Sequence, residues 1–451
     1  IISLESASDF PVRLVESGPA GGAIFAADIA ARFGVEKALS FDMGGTTAKI
    51  CLIKNQTPRT ARVFEVARTY RFKKGSGMPI SIPVIDMVEI GAGGGSLAQV
   101  DSMRQIRVGP ESAGSEPGPA CYGRGGERPA VTDADLTLGR LDPGNFAGGS
   151  IALHPEKSVA AIDTHIGETL GMDATAAAFG LSEVVDENMA NAARVHAVEN
   201  GEDPTDYTMI AFGGAAPLHA GRLCEKLGID RLLVPAGAGV GSAIGFLRAP
   251  FSFEATRSVY MRISDFDVDR VKKLLADLRA EAEGFVRSCA PDSRIRCDFK
   301  VYMRYIGQGW EIPVTLSDAQ VKAPDAASCL KSFEKEYATL FGRTVTGLDT
   351  EITVWAANAT TEVAPPDAVA KRGTPRPAAT TERRTLFDPA TLVVTDADVF
   401  ERDGLAVDDR IHGPAVITEA EPTIVVPSGF AASLRSDDTI EVIRTNEGAA
   451  K

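Results

Sequence analysis

The stretch that most constrains the fold is ALSFDMGGTTAKICLIK, residues 38–54. An apolar segment at each end predicts two short strands, and the glycines and polar residues between them predict a tight hairpin turn. Glycine N–H groups can approach a phosphate closely, threonines add hydroxyls, and a carboxylate can hold a hydrated Mg²⁺. An ordinary hairpin with glycine in its turn fits the same residues, so this stretch alone leaves both interpretations open. The turn residues that can do this chemistry are Asp42, Gly44, Gly45, Thr46 and Thr47.

Length and composition exclude several classes of protein. At 451 residues the chain is too long for one hydrophobic core, and ordinary domain sizes predict two or three domains. Asp and Glu number 61 against 47 Lys and Arg, so no basic surface for nucleic acid is expected. No apolar run approaches the roughly 20 residues of a membrane span, and the first residues lack the positive charge of a signal peptide. The six cysteines show no CxxC spacing, which argues against a zinc site or a disulfide framework and favours reduced thiols in the cytoplasm.

A second stretch suited to ligand binding is YTMIAFGGAAPLHA, residues 207–220. An apolar strand is followed by two glycines and then by a predicted helix with proline in its first turn. Backbone without Cβ atoms would let an adenine and a ribose lie against the end of the strand. A bare strand–turn–helix corner is the alternative interpretation, and His219, one turn into the helix, is expected to be structural or to support the residues that contact a ligand. The residues of this loop are Gly213, Gly214 and Ala215.

Two glycine-rich segments lie between these stretches. IGAGGGS, residues 90–96, follows a segment rich in β-forming residues, and its glycines permit close backbone approach to a ligand. A flexible surface loop fits the same composition. Residues 107–133 contain few periodic apolar residues, and loops longer than about 15 residues in compact domains are usually functional or disordered. For residues 90–96 both interpretations stay open, whereas Cys121, Tyr122 and Arg124 among the glycines argue against disorder in residues 107–133.

The long loop contains candidate contacts of different kinds. Arg124 can anchor an anion. Cys121 would need a positioned base to act as a nucleophile, and no histidine stands near it in sequence, so a packed thiol is expected. Thr132 or Asp133 is expected to cap the helix that follows.

The order of predicted elements indicates an α/β region followed by two smaller parts. A helix is expected before the hairpin, after an extended segment that ends in a Ser-Gly-Pro turn. Residues 64–71 are expected to form a strand, and residues 154–200 are expected to be mainly helical. Beyond residue 251 strands alternate with charged helices, and a Pro/Ala-rich stretch then predicts a linker. The predicted domains are residues 1–250, residues 251–363, a linker at 364–380, and a small β module at 381–451.

Several motifs together resemble the hydantoinase/oxoprolinase family, A-type subunit. The resemblance spans nearly the whole chain, and its most specific part is the glycine-rich block at 107–135. The matching motifs are SGPAGG (17–22), FDMGGTTAK (41–49), IGAGGGS (90–96), VGPESAGSEPGPACYGRGG (108–126), VTDAD (131–135), AFGGAAPLHA (211–220), RYIGQGWE (304–311) and HGPAVITEA (412–420).

The resemblance implies a fold, cofactors and site residues. The family is similar to actin-like ATPases, whose two RNase-H-like halves face a cleft that binds ATP and Mg²⁺. This implies an α/β, RNase-H-like half with a glycine-rich insertion, followed by an α+β C-terminal domain and the small β module. The implied catalytic residues are Asp42, which would also bind the metal, Thr46 and Thr47. The implied nucleotide-binding residues are Gly44, Gly45, Lys49, Gly213, Gly214 and Ala215. The implied substrate or loop contacts are Gly93, Gly94, Ser96, Arg124 and Asp133.

The chain departs from the family pattern in three respects. The family's amino-terminal half, with its own first phosphate loop, has no counterpart here, so that half is an expected partner. Lys49 occupies a position where many members carry an acid. Val88 stands where a histidine is expected in many relatives, two residues after Asp86, which weakens any metal site near residues 90–96.

The resemblance leads to three hypotheses of function. In the first, the chain belongs to an ATP-dependent hydrolase that opens a cyclic amide, such as hydantoin or 5-oxoproline, together with a B-type subunit. Phosphorylating the amide oxygen removes resonance stabilisation, and catalysis would depend on positioning and charge stabilisation. In the second, the chain is the ATPase subunit of a ketone carboxylase. In the third, it is a non-catalytic scaffold that has lost the first phosphate loop.

Overall fold

The computed structural model describes residues 4–61, 63–66, 75–80, 82, 84–380 and 382–445. None of the helices in these ranges combines the length and the apolar character needed to cross a bilayer. The α-helices are α1 (Leu4–Asp9), α2 (Ser17–Arg32), α3 (Val131–Thr137), α4 (Pro155–Ile162), α5 (Glu168–Leu170), α6 (Ala174–Glu199), α7 (Ala216–Leu227), α8 (Gly241–Arg248), α9 (Val268–Cys289), α10 (Asp318–Lys322) and α11 (Ala326–Phe341).

Most strands are short and follow one another closely along the chain. They are β1 (Lys37–Met43), β2 (Ala48–Lys54), β3 (Thr57–Pro58), β4 (Thr60–Ala61), β5 (Phe64–Val66), β6 (Met78–Ile80), β7 (Val84–Ile85), β8 (Met87–Ile90), β9 (Ser96–Val100), β10 (Ile106–Ser112), β11 (Thr208–Phe212), β12 (Arg231–Val234), β13 (Ser252–Arg262), β14 (Ile295–Tyr305), β15 (Ile312–Leu316), β16 (Thr350–Thr361), β17 (Arg376–Pro377), β18 (Glu382–Asp388), β19 (Val393–Glu401), β20 (Asp409–His412), β21 (Ala415–Thr418), β22 (Thr423–Val426), β23 (Phe430–Leu434) and β24 (Ile440–Arg444).

The chain folds as two compact units. The larger contains Val12–Arg248 and the described residues from Pro366 onward, and the smaller contains Ala249–Pro365 with the described residues up to Pro11. In the smaller unit, an antiparallel sheet in the order β13-β16-β14-β15 packs against α9 and α11. Its core includes Trp355, whose indole Nε1 donates a hydrogen bond to the carbonyl of Val259 at 3.0 Å.

A mixed sheet forms the centre of the larger unit. In the described ranges its order is β17-β20-β23-β24-β12-β11-β1-β2-β3, with β8 also paired to β2. β1 lies parallel to β11, β11 lies parallel to β12, and β1 and β2 form the antiparallel hairpin predicted from the sequence. Residues on both faces of these central strands are buried, Leu39 and Ser40 among them, which is the burial typical of strands covered on both sides. Helix α2 packs on β1, and α7 packs on β11.

The C-terminal strands complete this sheet. Residues from 381 were predicted to form a small module of their own. Instead, β24 pairs with the whole length of β12, and β23 and β20 extend the sheet further. The pairing satisfies the backbone groups of β12 that would otherwise form an open sheet edge. Strands β18, β19, β21 and β22 form a second sheet that packs against α7 through β22. The predicted linker is attached to this unit as well, since the Val369 N–H donates to the Arg32 carbonyl at 2.9 Å.

An ionic cluster around the buried carboxylate of Glu441 reinforces the junction of β24 with β12. The side chain of Glu441 is 2% exposed, and its carboxylate lies 2.8 Å from the guanidinium of Arg231 and 2.9 Å from that of Arg372. Arg435 contacts the same carboxylate. Burial opposes ionisation of Glu441, but the arginines outweigh this effect and lower its pKa.

One local prediction is wrong. The segment before α2 was expected to be extended, whereas Pro11–Leu14 forms a short 3-10 helix and the Ser-Gly-Pro sequence forms the first turn of α2. Proline is accommodated there because the first N–H groups of a helix have no intrahelical partner. Of the strand predicted at residues 64–71, Phe64–Val66 is present as β5, and 67–71 lie outside the described residues.

Close helix packing fixes the position of α2 against α8. A Cβ atom added to Gly245 would lie 1.8 Å from the Gly21 carbonyl oxygen, and one added to Gly22 would lie 2.9 Å from Ser242 Oγ. The two helix backbones therefore touch where side chains would normally separate them. This contact brings Ser242 to the end of β1.

A buried charged cluster joins α3, α6 and α7. The guanidinium of Arg140 donates to Asp135 Oδ1 at 2.9 Å and to Ser182 Oγ at 2.8 Å. His219 Nδ1 lies 2.8 Å from Asp186 Oδ1, and its Nε2 lies 3.3 Å from Asp135 Oδ2, close enough for an ion pair although the angle does not make a hydrogen bond. All five side chains are almost completely buried. His219 is thus structural in this fold, as the sequence predicted.

The cluster is electrically balanced when His219 carries a proton. Burial disfavours the imidazolium, but Asp135 and Asp186 outweigh this effect and raise the pKa of His219 to about 10. Burial likewise opposes ionisation of Asp135, and the charges of His219 and Arg140 overcome it and lower its pKa. Two carboxylates then face two cations inside the protein.

The raised pKa of His219 predicts a pH-dependent stability. His219→Gln leaves an uncompensated buried carboxylate, so we expect the free energy of unfolding to fall by about 3–5 kcal/mol at about pH 6. The loss should be smaller at about pH 9. A group whose pKa is raised by folding contributes its full stabilisation below the pKa that it has in the unfolded chain, and this contribution disappears as the pH rises through its pKa in the folded protein. Denaturant unfolding of both proteins at the two pH values measures this difference.

Glu441→Gln is the matched control for this measurement. It also removes one charge from an ionic cluster of the same unit, but the lowered pKa of Glu441 places its titration below the tested range. Its destabilisation should therefore be similar at both pH values. An equal loss at both pH values for His219→Gln would contradict a protonated His219.

Candidate functional site

The hairpin turn between β1 and β2 presents polar groups at the surface. Asp42 pairs in register with Lys49, so both side chains lie on one face of the hairpin. The Gly44 N–H donates to the Thr47 carbonyl at 3.2 Å and closes the turn. Gly45 and Thr46 at its tip are exposed. These residues, predicted from sequence to surround a phosphate, are adjacent in the structure.

The glycine-rich segment at residues 90–96 lies directly on this turn. The Gly94 N–H donates to the Gly44 carbonyl at 3.0 Å, and the Gly95 N–H donates to the Gly45 carbonyl at 2.7 Å. A Cβ atom at Gly93 would lie 2.5 Å from the Thr46 nitrogen, so only glycine permits this approach. Gly93, Gly94 and Ser96 are buried, which differs from the flexible surface loop considered as the alternative. Ser96 contributes by accepting a hydrogen bond from the Gly93 N–H at 2.8 Å.

The loop after β11 lies on the other side of the turn. The Ala215 N–H donates to the Met43 carbonyl at 3.0 Å. Gly213 has a φ of +94°, and a Cβ atom there would lie 2.6 Å from Asp42 Oδ1. Gly214 is exposed, and a Cβ atom added to it meets nothing within 4 Å. The residues predicted to receive an adenosine therefore border the same carboxylate as the hairpin turn.

Asp42 is the half-buried carboxylate at the end of β1. Its carboxylate accepts a hydrogen bond from Ser242 Oγ at 3.2 Å. Burial raises the pKa of Asp42, while the nearby charge of Lys49 and the hydrogen bond from Ser242 act against the rise. A cation bound beside the carboxylate would stabilise its ionised form in the same way.

Lys49 is the positive charge of the site. Its ammonium donates to Thr47 Oγ1 at 2.7 Å and lies 3.5 Å from Glu89 Oε1. Glu16, immediately before α2, interacts electrostatically with both Glu89 and Lys49. Burial raises the pKa of Glu16, the charge of Glu89 raises it further, and the charge of Lys49 opposes the rise. Glu16 and Ser242 could not be identified from the sequence, because only the fold brings them to the hairpin.

The block at residues 107–135 is organised by Asp133. This completely buried carboxylate accepts hydrogen bonds from the backbone N–H groups of Cys121 at 2.8 Å and Ala130 at 2.8 Å. It also accepts one from the Ala120 N–H at 3.1 Å and one from Ser158 Oγ at 2.8 Å. Asp133 therefore contacts the loop itself. The N-cap residue of α3 is Ala130, and not Thr132 or Asp133 as expected, but the Asp133 side chain caps the helix from its first turn by accepting from the Ala130 N–H.

The other two side chains selected in this block have different environments. Arg124 is exposed, and its guanidinium carbon lies 5.9 Å from the centre of the Tyr122 ring. Cys121 is buried, and burial together with the charge of Asp133 raises the pKa of its thiol. A thiolate nucleophile is disfavoured there, in agreement with the expected packed thiol.

The site fits a magnesium-bound phosphate. A Cβ atom added to Gly44, Gly45 or Gly214 meets nothing within 4 Å, so the space beside all three backbones is open. No group of three or more His, Cys, Asp or Glu side chains in the described ranges is arranged to hold a metal ion. Mg²⁺ is commonly held by one or two carboxylates together with phosphate oxygens and waters, and Asp42 meets that requirement. The residues present therefore suit Mg²⁺ that arrives with a nucleotide.

Family models match most of the chain. A model described as Hydantoinase/oxoprolinase matches residues 1–255, and one described as the Hydantoinase/oxoprolinase C-terminal domain matches residues 267–444. The alpha subunit of caprolactamase from Pseudomonas jessenii is 33% identical over 439 residues, which cover 96% of this chain and 62% of that subunit.

Two solved structures share the fold. The ATP-dependent caprolactamase from Pseudomonas jessenii gives a TM-score of 0.76 at 32% identity, over 95% of this chain and 61% of that one. The nucleotide-free structure of acetone carboxylase, from work on ATP-dependent acetone carboxylation, gives a TM-score of 0.75 at 26% identity, also over 95% of this chain and 61% of that one. The chain thus spans about three fifths of the length of these relatives. Since the first family model alone covers residues 1–255 of 451, the chain belongs to the hydantoinase/oxoprolinase family, as its motifs predicted.

Proposed function

We propose that this chain provides the Mg-ATP site of an ATP-dependent enzyme. The observation that carries the proposal is the convergence of two glycine turns with open space, at Gly44–Gly45 and at Gly214, on the half-buried carboxylate of Asp42. We further propose that the strands β12, β11, β1 and β2 with their helices are one RNase-H-like half of an actin-like ATPase. The parallel β12–β11–β1 arrangement, continued by the antiparallel hairpin, supports this assignment.

Each residue of the site has a proposed role. Asp42 holds the magnesium through its ionised carboxylate. The backbone N–H groups of the hairpin turn and the hydroxyls of Thr46 and Thr47 bind phosphate oxygens, and Lys49 adds a positive charge. Gly213, Gly214 and Ala215 form the surface for the adenosine. Bound Mg-ATP would supply the phosphoryl group that activates a carbonyl oxygen.

The proposed reaction is the opening of a cyclic amide. The relative with 33% identity is named a caprolactamase subunit, and its solved counterpart is described as ATP-dependent, which supports a lactam as the substrate class. Carboxylation of a ketone is the second candidate, supported by the acetone carboxylase fold at a TM-score of 0.75. Bicarbonate distinguishes the two: ATP hydrolysis that requires both a ketone and bicarbonate would favour carboxylation.

The proposed enzyme contains further parts. The caprolactamase relative is named an alpha subunit, which supports a B-type partner subunit here. The relatives also extend beyond the region that this chain matches, and we propose that the remaining region contributes the facing half of the nucleotide cleft. Gly93, Gly94, Ser96 and Asp133 would then hold the loops in place, and Arg124 is left as a candidate substrate contact.

Removal of the Asp42 charge tests the metal assignment. We expect Asp42→Asn to lower Mg-ATP turnover in the assembled enzyme by about 100-fold or more, because a neutral amide binds Mg²⁺ poorly. The amide can still accept from Ser242, so the fold should be retained. Asp206→Asn, at the opposite end of β11, is the control and should turn over normally. Unchanged turnover in Asp42→Asn would remove Asp42 from the site.

A branched side chain at Gly214 tests the adenosine surface. Gly214→Val should weaken Mg-ATP binding roughly tenfold or more by filling the open space beside the loop. Its melting temperature should stay near that of the wild type, since a Cβ atom there meets no protein atom within 4 Å. Gly284→Val, on the exposed side of α9, is a matched control that also has no atom within 4 Å. Wild-type affinity in Gly214→Val, measured by calorimetry, would count against the assignment.

A further inference from the structure

The buried charged cluster around His219 lies directly behind the glycine loops of the candidate site. Asp135 lies one helical turn beyond Thr132 on α3, and His219 lies one turn beyond Ala215 on α7. Ala215 bonds directly to Met43 beside the hairpin turn, whereas Thr132 bonds to Gly94, which in turn bonds to the hairpin turn. The ion pair between Asp135 and His219 therefore connects the two helices just behind the loops that they carry.

Hydrogen bonds complete a closed path through these elements. On one side, Thr132 donates to the Gly94 carbonyl through both its N–H and its hydroxyl, each at 2.8 Å, and the Gly94 N–H donates to the Gly44 carbonyl. On the other side, the Ala215 N–H donates to the carbonyl of Met43, the neighbour of Gly44. Both arms of the path start from the Asp135–His219 contact and end on the same turn.

Helix α6 supports the contact from behind. Asp186 holds His219 Nδ1, and Ser182 accepts from Arg140, which in turn holds Asp135. Each member of the ion pair is thus oriented by a second group and cannot turn away without leaving a charge unpaired inside the protein. The loops also meet directly, because a Cβ atom at Gly94 would lie 3.9 Å from Ala215 Cβ.

We infer that this cluster is an ionic clamp that fixes the spacing of the three glycine loops, and that His219 is a positioning residue for the nucleotide site. The clamp holds residues 93–95 and residues 213–215 against opposite sides of the hairpin turn. Its effect on nucleotide binding rests on the function proposed above, whereas its effect on the loops does not. Small displacements of positioned groups can change binding or rate on the order of 10- to 100-fold.

Amide hydrogen exchange without nucleotide tests the clamp itself. In His219→Gln, the amides of Gly94, Gly95 and Ala215 should exchange roughly tenfold faster or more than in the wild type. Glu441→Gln is the control, since it breaks an ionic cluster at the β24–β12 junction, which β11 separates from β1, and it should leave these amides unchanged. If His219→Gln does not fold, Asp135→Asn takes its place, because asparagine has nearly the same shape as aspartate. The exchange rates of the same three amides then test the clamp.

Mg-ATP titration of the same proteins separates the clamp from the proposed function. We expect weaker binding in His219→Gln than in Glu441→Gln when both are folded. Unchanged exchange at the three amides, or an equal acceleration in Glu441→Gln, would overturn the clamp. Absence of Mg-ATP binding in the assembled wild-type enzyme would instead overturn the proposed function, and the clamp would then be judged on the exchange rates alone.

Discussion

The site depends on backbone groups that approach one another without intervening side chains. The segment at residues 93–95 hydrogen-bonds to the hairpin turn through two N–H groups. The contact is possible only because Gly93 and Gly95 lack Cβ atoms, since a Cβ atom at either position would collide with the turn. This contact orders the turn, and the turn fixes the direction of the Asp42 carboxylate at the end of β1. A single larger side chain at either position would separate the loops. Positions 44, 45 and 214 differ, because their missing side chains leave space open to a ligand.

Charge is distributed in two layers around this backbone framework. Near the surface, Asp42, Glu89 and Glu16 surround Lys49, and burial raises the pKa of both Asp42 and Glu16. The local excess of carboxylates would be relieved by a bound cation, which agrees with the proposed use of Mg²⁺. Behind the loops, the cluster around His219 is balanced within itself and has no access to solvent. The outer layer is thus suited to binding and the inner layer to holding the loops in position.

Local patterns in the sequence predicted local structure well. The hairpin strands and the helix after Gly213–Gly214 occur within a few residues of their predicted positions, because apolar spacing and glycine turns act over short distances. Contacts between distant segments could not be read in the same way. Ser242 reaches Asp42 only after α8 packs on α2, and β24 joins β12 across more than 200 residues of sequence, as the Arg231–Glu441 pair shows. The candidate site residues could be selected from the chemistry of the glycine turns and from family motifs, whereas the fold brings the two turns together beside Asp42.

Amide hydrogen exchange with and without saturating Mg-ATP is the most direct test of the central claim that the glycine turns and Asp42 form a nucleotide site. It locates even weak binding, which matters for a chain that spans about three fifths of its relatives. We predict slower exchange at residues 42–49 and 213–215 in the wild type, and loss of that protection in Asp42→Asn. Protection confined to other parts of the chain, or no change at millimolar Mg-ATP, would contradict the claim.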